Sequence, residues 1–287
     1  MLIKRNLKLF FRDRAAVFFS LLVVLIIFIL YMLFLGDMME QQLQNQLGFE
    51  HDAIGPTMAA IMLGGLVAAA SVSSCLGALE ISITDKQKAL KDFYTSPVPR
   101  RKITMGYVFG AGTIGLVMTS ISLVLCLAYI VLRGGTLPAG ADWGLLALTL
   151  FLSVICGNAV MFFITLFVKT SNAFAALSSL VGTMIGFLMG IFIPIGVLPN
   201  AVQWVVRIFP MSHGAVMFRQ ILADGQLTYL FEGMPKENLE SFREVQGVVF
   251  TYGNFTADFW FSAAVLAGTA VVFFALSVAV MKFRRAE

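Results

Sequence analysis

Charged side chains are scarce in this sequence. Asp, Glu, Lys and Arg together make up 13% of the 287 residues, whereas 59% of the residues are hydrophobic. A typical soluble domain is about half apolar and about one quarter charged. The apolar residues cluster in blocks of roughly 20 or more, the helix length that crosses the hydrocarbon core of a bilayer. These features exclude a soluble globular protein and predict an all-α polytopic membrane protein, because a helix satisfies its own backbone hydrogen bonds in lipid.

Residue patterns that support catalysis or metal binding are missing as well. The two histidines, His51 and His213, have no neighbours at ligand spacing. The three cysteines lie inside apolar stretches and form no C-x-x-C pair, as expected of small buried hydrophobic residues. The phosphate-binding pattern G-x-x-x-x-G-K-[ST] is absent. We therefore expect no catalytic residues, no metal site and no ATP hydrolysis in this chain itself.

Ionisable residues are also missing from the interior of every apolar block. Ion-coupled and proton-coupled transporters keep such residues inside the bilayer, because a side chain there must bind the coupling ion. An ion-coupled carrier is therefore disfavoured. If the protein moves a substrate, we expect the energy to come from another subunit.

Six apolar blocks predict six membrane-spanning helices. They cover roughly residues 15–35, 54–79, 105–132, 143–168, 174–193 and 259–281. With the N-terminus inside, 15 of the 20 Lys and Arg residues lie in cytoplasmic segments, which matches the positive-inside rule and predicts that both termini are cytoplasmic. Because the basic residues sit at the ends of apolar blocks, the net charge of +4 and the pI near 9.0 do not indicate a nucleic-acid partner.

Residues 1–14 predict a helix that lies in the inner membrane interface. Ile3 and Leu7 recur at helical spacing, while Lys4 and Lys8 belong to a basic stripe on another face. Such a helix places its apolar face in lipid and its basic face toward anionic headgroups, so membrane lipids are expected partners. The alternative is a simple basic flank of the first span.

Residues 82–101, between the second and third spans, predict a short amphipathic helix. Ile83, Leu90, Phe93 and Tyr94 fall on one helical face. Two prolines follow, and proline ends a helix because it lacks an amide donor and restricts the residue before it. From the pattern alone, this helix could lie on the bilayer or dock into a soluble partner.

The stretch between the fifth and sixth spans is divided into two parts. Residues 194–223 are largely apolar, but their prolines cut them into pieces too short to span a membrane. We expect a pair of short re-entrant helices at the outer leaflet, because non-spanning backbone at that depth must be covered by protein or face water. Residues 224–256 are polar and acidic, and they predict a small extracellular cap.

Two of these segments resemble the membrane subunits of type-2 ATP-binding-cassette (ABC) exporters. Residues 85–100, with the sequence DKQKALKDFYTSPVPR, resemble the cytoplasmic stretch of that family. Residues 194–219, which contain PIGVLP, FPMSH and Arg219, resemble its signature after the fifth span. The order of an interfacial helix, six spans and an outer helix pair also matches. The resemblance therefore implies a single ABC-2-type transmembrane domain over residues 1–287.

The resemblance further implies that the helix at residues 82–101 is a coupling helix, which docks into a cytoplasmic ATPase. Two ATPase subunits would bind ATP and Mg²⁺, and a second permease copy or a paralogue would complete a dimer. The residues implied in coupling are Ile83, Lys86, Leu90, Phe93, Tyr94, Pro97 and Arg100. The signature after the fifth span is called the outer motif below, and its residues are Pro194, Pro199, Pro210 and His213.

In this family the second and fifth spans usually line the cargo path. The residues on these spans that could contact a cargo are the hydroxyl and thioether residues Ser71, Ser74, Thr183, Met184 and Met189. Such a path suits an amphipathic cargo, either a drug, as in multidrug export, or a peptide or lipid-like molecule, moved outward across a bacterial plasma membrane. A lipid-linked glycan is an alternative cargo. A membrane immunity or binding factor that transports nothing is an alternative function, and it would need no ATPase.

Overall fold

The computed structural model describes residues 2–48, 50–88, 100–253 and 255–283. Within these ranges, six helices are long and apolar enough to cross a membrane. Strands are limited in the described part of the chain to one short hairpin. The predicted class, an all-α polytopic membrane protein with six spans, is therefore confirmed.

The membrane part of the chain consists of long helices preceded by one short N-terminal helix. They are α1 (Leu2–Arg12), α2 (Arg14–Leu30), a π-helical turn (Tyr31–Leu35), α3 (Gly36–Leu47), α4 (Ile54–Lys88), α5 (Arg100–Leu132), α6 (Asp142–Thr165), α7 (Ser171–Leu188) and α11 (Phe259–Phe283).

A smaller set of elements lies between α7 and α11, and it covers both the predicted re-entrant segment, 194–223, and the predicted extracellular cap, 224–256. From here on, we call this whole set the cap. It contains a 3₁₀ turn (Ile195–Val197), α8 (Asn200–Ile208), α9 (Ser212–Leu230), α10 (Lys236–Val245) and the strands β1 (Phe250–Tyr252) and β2 (Phe255–Ala257). The strands pair antiparallel with Phe250 opposite Ala257. The two helices α8 and α9 occupy the predicted re-entrant segment, although α9 continues to Leu230, and their depth in a membrane stays a prediction.

Helix α4 is the central helix of the bundle. Nearly every residue from Ile54 to Leu79 is buried, and α4 packs against α2, α5, α6, α7 and α9. Small residues on all its faces, such as Gly64, Gly65 and Ala68, permit this, since they let neighbouring backbones approach closely. The sequence of α4 thus explains why one helix can contact so many others.

The first span differs from its prediction at its far end. The helical backbone runs without interruption from Arg14 through the π-helical turn to Leu47, whereas the predicted first span ends at residue 35. Gly48, with a φ of 76°, then ends the helix. The polar residues after Leu35 indicate that the chain leaves the apolar phase, but none of them is a proline that would stop a helix.

The second span also continues past its predicted end. Helix α4 passes from Leu79 to Lys88 as one helix, so the first part of the predicted coupling helix extends the span. No glycine or proline lies between these residues, and the two prolines that predicted a helix end come later. The remaining residues of that prediction, 89–99, lie outside the described part of the chain.

Two ends of the bundle are named here for use below. The basic end holds Arg5 and the C-terminal end of α4. The cap end holds the N-terminal end of α4 and the C-terminal end of α7, where the cap begins.

Candidate functional site

A groove with a volume of about 600 Å³ lies between α1, α2, α4 and α7 near the basic end. Aromatic and aliphatic side chains, among them Phe10, Phe19, Leu76 and Phe174, form much of its wall. Its polar lining residues are Asp13, Ser20, Ser73, Glu80, Thr84, Asp85 and Ser178. A concave surface that is mostly apolar and carries a few polar groups is the usual form of a small-molecule site.

The charged lining of this groove is entirely acidic among the residues that the structure describes. Asp13 accepts hydrogen bonds from the first amides of α2, and Asp85 is paired with Arg5. Glu80 is exposed to the groove, and its carboxylate has no hydrogen-bond partner within the described ranges. The groove therefore presents a negative charge that is available to a ligand.

A polar cluster closes the groove at the basic end. Arg5 Nη1 donates to Asp85 Oδ2 over 2.8 Å, and Arg5 Nη2 donates to Asp85 Oδ1 over 3.2 Å. The hydroxyl of Tyr107 donates to Asp85 Oδ2 over 2.7 Å. The hydrogen bond to Asp85 raises the pKa of Arg5 above its usual value. The cluster joins α1, α4 and α5 through one bidentate ion pair, made of two hydrogen bonds, and one hydrogen bond from a phenol.

Helix α1 is held against α5 by a close backbone approach. The side-chain amide of Asn6 donates to the carbonyl of Gly106 over 3.1 Å. A Cβ atom at Gly106 would lie 2.7 Å from Cβ of Leu2, so only glycine fits there without displacement. One face of α1 is thus buried in the protein. Ile3 and Phe11 remain about 40% exposed, which suits the predicted lipid contact of this helix.

Arg219 of α9 lies at the cap end and is 0% exposed. Its Nε donates to the carbonyl of Ile61 over 3.0 Å, and Nη1 donates to that of Gly247 over 3.2 Å. Nη2 donates to the carbonyls of Met189 and Gly190 over 2.5 and 2.9 Å. One side chain therefore connects α4, the end of α7, α9 and the loop after α10.

The surroundings of Arg219 explain how a buried cation is tolerated. Burial lowers its pKa to about 10, which still leaves the guanidinium charged at neutral pH. Its acceptors include the carbonyls of Met189 and Gly190, which lie just past the C-terminal end of α7, the negative end of that helix's dipole. The helix α4 leaves room for it at Gly65, where a Cβ atom would lie 2.8 Å from Nη2.

His213, a residue of the predicted outer motif, is part of a second buried network. Its Nε2 lies 3.2 Å from the carbonyl of Arg207, and its Nδ1 lies 3.1 Å from Oγ of Ser262. This arrangement assigns the proton to Nε2, because a carbonyl only accepts. Burial lowers the pKa of His213 to about 4, so the ring is neutral and connects α9 to α8 and α11.

The three prolines of the outer motif mark the boundaries of the cap elements. Pro194 precedes the 3₁₀ turn, and Pro199 precedes α8. Pro210 lies between α8 and α9. These positions agree with proline's fixed φ, which favours helix starts and turns.

The predicted coupling residues are only partly described. Ile83 lies in α4 and is 1% exposed, so its side chain packs inside the protein. Lys86 lies in the last turn of α4, and Arg100 is the first residue of α5. Leu90, Phe93, Tyr94 and Pro97 lie outside the described residues, and their role stays a prediction.

The five predicted cargo contacts do not form one surface. Ser71, Ser74 and Met189 are buried in the protein interior. Thr183 and Met184 lie on the exposed side of α7, with Met184 48% exposed. The groove is lined by other residues of α4 and α7, the second and fifth spans, and the cargo path itself stays a prediction.

Sequence reasoning missed two features of these sites. Phe174, Ser178 and Val181 line the groove from α7, and their helical spacing was a signal for a shared face. Arg219 was named only as part of the signature after the fifth span, with no role given to its side chain. Its position within an apolar helical stretch, AVMFRQIL, was the signal that it is buried.

The family comparison agrees with this architecture. No curated protein matches the chain. The profile of the family described as ABC-2 family transporter protein matches residues 55–279, well over half of the chain. The match extends from α4 to α11, so it includes the α4 and α7 walls of the groove and the whole cap. The chain therefore belongs to the ABC-2 family of transporters, as a membrane permease subunit.

Proposed function

We propose that this permease exports an amphipathic cargo, which enters the groove between α2, α4 and α7 and is driven outward by ATP hydrolysis in a partner subunit. The observation that carries the proposal is the groove itself. It combines a volume of about 600 Å³ with apolar walls and the carboxylate of Glu80, which is unpaired among the residues that the structure describes. Drug-sized ligands occupy pockets of about 300–1,000 Å³, so the volume fits such a cargo.

The charge of the groove narrows the class of cargo. Its described ionisable lining residues are Asp13, Glu80 and Asp85. A cleft lined by one sign of charge concentrates ligands of the opposite sign. We therefore favour an amphipath with a positively charged group. A lipid-linked glycan with an anionic phosphate linkage suits this lining less well.

The partners follow from the family and the sequence. ABC-2 permeases associate with ABC ATPases, and we propose that two such subunits bind ATP and Mg²⁺ and dock at residues 89–99. A second permease copy or a paralogue would complete the transporter. The basic end would face the cytoplasm, since Lys and Arg concentrate there. The chain would reside in a bacterial plasma membrane with both termini inside.

A direct test uses inside-out vesicles that contain the chain and its cassette ATPase. Three amphipaths that share one fluorophore but carry a cationic, neutral or anionic headgroup are added with ATP. We expect ATP-dependent accumulation of the cationic probe, because outward transport fills inside-out vesicles. Accumulation of only the anionic probe would contradict the proposed cargo class, and accumulation of none of the three in a complex with active ATPase would favour the non-transporting alternative.

The Glu80→Gln variant tests the role of the groove. The lost attraction between one carboxylate and a cation at a partly exposed site is about 1 kcal/mol, which corresponds to about a fivefold higher Kd for the cationic probe. The neutral probe should bind unchanged. Glu237→Gln, a change at an exposed residue of α10, is the matched control and should change neither Kd. An unchanged Kd for the cationic probe in Glu80→Gln would exclude this groove as its site.

A further inference from the structure

Two hydroxyl groups in the lining of the groove already use their protons inside their own helices. Ser20 Oγ of α2 donates to the carbonyl of Val17 over 2.8 Å. Ser73 Oγ of α4 donates to the carbonyl of Ala69 over 3.1 Å. A hydroxyl has one proton and two lone pairs, so each of these oxygens can only accept a further hydrogen bond. Both serines therefore offer acceptors to a ligand in the groove.

The carboxylates of the groove add acceptors and no donors. Asp13 accepts the first amides of α2 through Oδ1, and Asp85 is occupied by its hydrogen bonds at the basic end. Glu80 is exposed to the groove and accepts no hydrogen bond from a described residue. None of the lining residues that the structure describes has a side-chain N–H group. The groove is thus rich in acceptors and suits a ligand that donates.

Ser20 and Glu80 lie close to the point where α2 and α4 meet. A Cβ atom at Gly77 of α4 would lie 3.2 Å from Cβ of Ser20. Glu80 follows Gly77 by three residues on the same face of α4, about 4.5 Å further along the helix. The two helices run in opposite directions, because Gly55 at the start of α4 approaches Glu40 beyond the end of α2. Since Cα–Cβ bonds tilt toward the N-terminus of a helix, the Ser20 and Glu80 side chains lean toward each other.

We propose that the groove recognises the N–H groups of a protonated amine, and that it takes primary, secondary and tertiary ammonium amphipaths in preference to quaternary ones. The inference rests on the proposed function and narrows its cargo class. The nitrogen lies between Glu80 and Ser20, where the carboxylate balances its charge and the hydroxyl oxygen accepts one N–H. Ser73, about one helical turn before Gly77, accepts a second donor of the headgroup.

The aromatic lining does not favour a quaternary ammonium. Proteins bind such groups by surrounding them with aromatic faces, because a quaternary nitrogen has no N–H to donate. Phe10 and Phe174 are only 2% and 3% exposed, so they form the wall of the groove with little ring surface open to a cation. Phe19, which is 64% exposed, offers one ring and not a cage. A quaternary ammonium would also displace water from the serine oxygens without replacing its hydrogen bonds.

The test uses three probes that share one fluorophore and one alkyl chain. Their headgroups are a primary ammonium, a dimethylammonium and a trimethylammonium. Each carries one positive charge at pH 7, but they have three, one and no N–H groups. Dimethylammonium is nearly as bulky as trimethylammonium, so it separates the loss of N–H groups from the increase in size.

The Kd of each probe is measured by fluorescence anisotropy on the full chain in nanodiscs. The nanodiscs contain phosphatidylcholine, whose headgroup has no N–H group to compete with the probes, and empty nanodiscs give the background. The altered chain combines Ser20→Ala with Ser73→Ala, which removes both hydroxyl acceptors and keeps Glu80. Ser120→Ala is the matched control, because Ser120 lies on the exposed side of α5 and likewise donates to a carbonyl four residues earlier, that of Leu116.

The primary ammonium should bind at least about tenfold more tightly than the trimethylammonium, the factor for one hydrogen bond from a charged group. The dimethylammonium should lie between the two. In the double serine variant, this ratio should fall by about fivefold, because Glu80 remains as the acceptor. Ser120→Ala should leave the ratio of the unaltered chain unchanged.

Four results would overturn the inference. Equal binding of all three cations would do so, but tighter binding of them than of a neutral probe would leave the proposed cationic cargo standing. Equal binding of the dimethylammonium and trimethylammonium, both weaker than the primary ammonium, would assign the difference to size. An unchanged ratio in the double serine variant would show that these oxygens are not the acceptors. If no cation binds more tightly than the neutral probe, the proposed function itself fails, and this inference fails with it.

Discussion

Replacement of Arg219 by Met tests whether this side chain holds the cap end together. Met is similar in length and apolar, so the change removes the four hydrogen bonds and the charge with little change in volume. The carbonyls of Met189, Gly190 and Gly247 would lose a donor in a buried site. Unsatisfied buried acceptors are costly, because they give up water without a replacement partner.

The magnitude follows from two opposing contributions. Each hydrogen bond from a charged donor contributes about 1.5–3 kcal/mol to stability. Burial opposes this by about 3 kcal/mol, the equivalent of the fall in the pKa of Arg219 from 12.5 to about 10. Since such contributions are not additive, we expect the free energy of unfolding to fall by about 3–5 kcal/mol, the usual cost when one partner of a buried charged network is removed.

The assay is equilibrium unfolding by SDS in mixed micelles, followed by tryptophan fluorescence and far-UV circular dichroism. Arg219→Lys keeps the charge but loses the forked geometry of the guanidinium. Its free energy of unfolding should therefore lie between those of Arg219→Met and the unaltered chain. Lys236→Met, at an exposed position of α10, is the control. Its free energy of unfolding should stay within about 0.5 kcal/mol of that of the unaltered chain. A loss below about 1 kcal/mol in Arg219→Met would refute the reasoning that these bonds hold the cap end together.

Two further predictions concern the same end of the molecule. Gly65→Ala should lower the free energy of unfolding, because its Cβ would lie 2.8 Å from Arg219 Nη2 and 2.9 Å from the Met189 carbonyl. Gly144→Ala, in α6 with nothing within 4 Å of the new atom, should instead be neutral or stabilise by up to about 1 kcal/mol; equal effects of the two changes in SDS titration would contradict the close fit. The pKa of His213 is about 4 in the folded protein and 6.5 in the unfolded chain, so the unfolded chain binds more protons between these values. The free energy of unfolding should therefore keep its full value above pH 6.5 and fall by about 2–3 kcal/mol as the pH drops toward 4. His213→Gln should reduce this dependence on pH. A slope that persists in His213→Gln would assign the acid sensitivity to other groups.

The membrane architecture was predictable because hydropathy depends on local composition. Each of the six spans is long and apolar enough to be recognised without knowledge of its neighbours. The prolines at positions 194, 199 and 210 likewise act on their own backbone, so they predicted the division of the cap correctly. The helix ends beyond the first two spans were not predicted, since polarity marks the edge of the membrane and the helices continue to Leu47 and Lys88.

The sites were less predictable because they depend on which helix faces meet. Ser73 and Ser74 are neighbours in sequence, yet Ser73 lines the groove while Ser74 is fully buried. Hydropathy gives no sign of this difference, because it averages over both faces of an apolar helix. The pairing of Arg5 with Asp85 joins residues 80 positions apart, and only the packing of α1 against α4 and α5 brings them together.

The most direct test of the account is whether a cassette ATPase docks on residues 89–99. The chain is co-expressed with the ATPase, and complex recovery and vanadate-sensitive ATP hydrolysis are measured with and without the double change Leu90→Asp and Phe93→Asp. The account predicts that the unaltered chain recovers an active complex, and that the double variant inserts into the membrane but loses both the complex and the coupled hydrolysis. A double variant that retains both would contradict docking at this segment, and failure of every cassette ATPase of the source cell to associate would contradict the exporter as a whole.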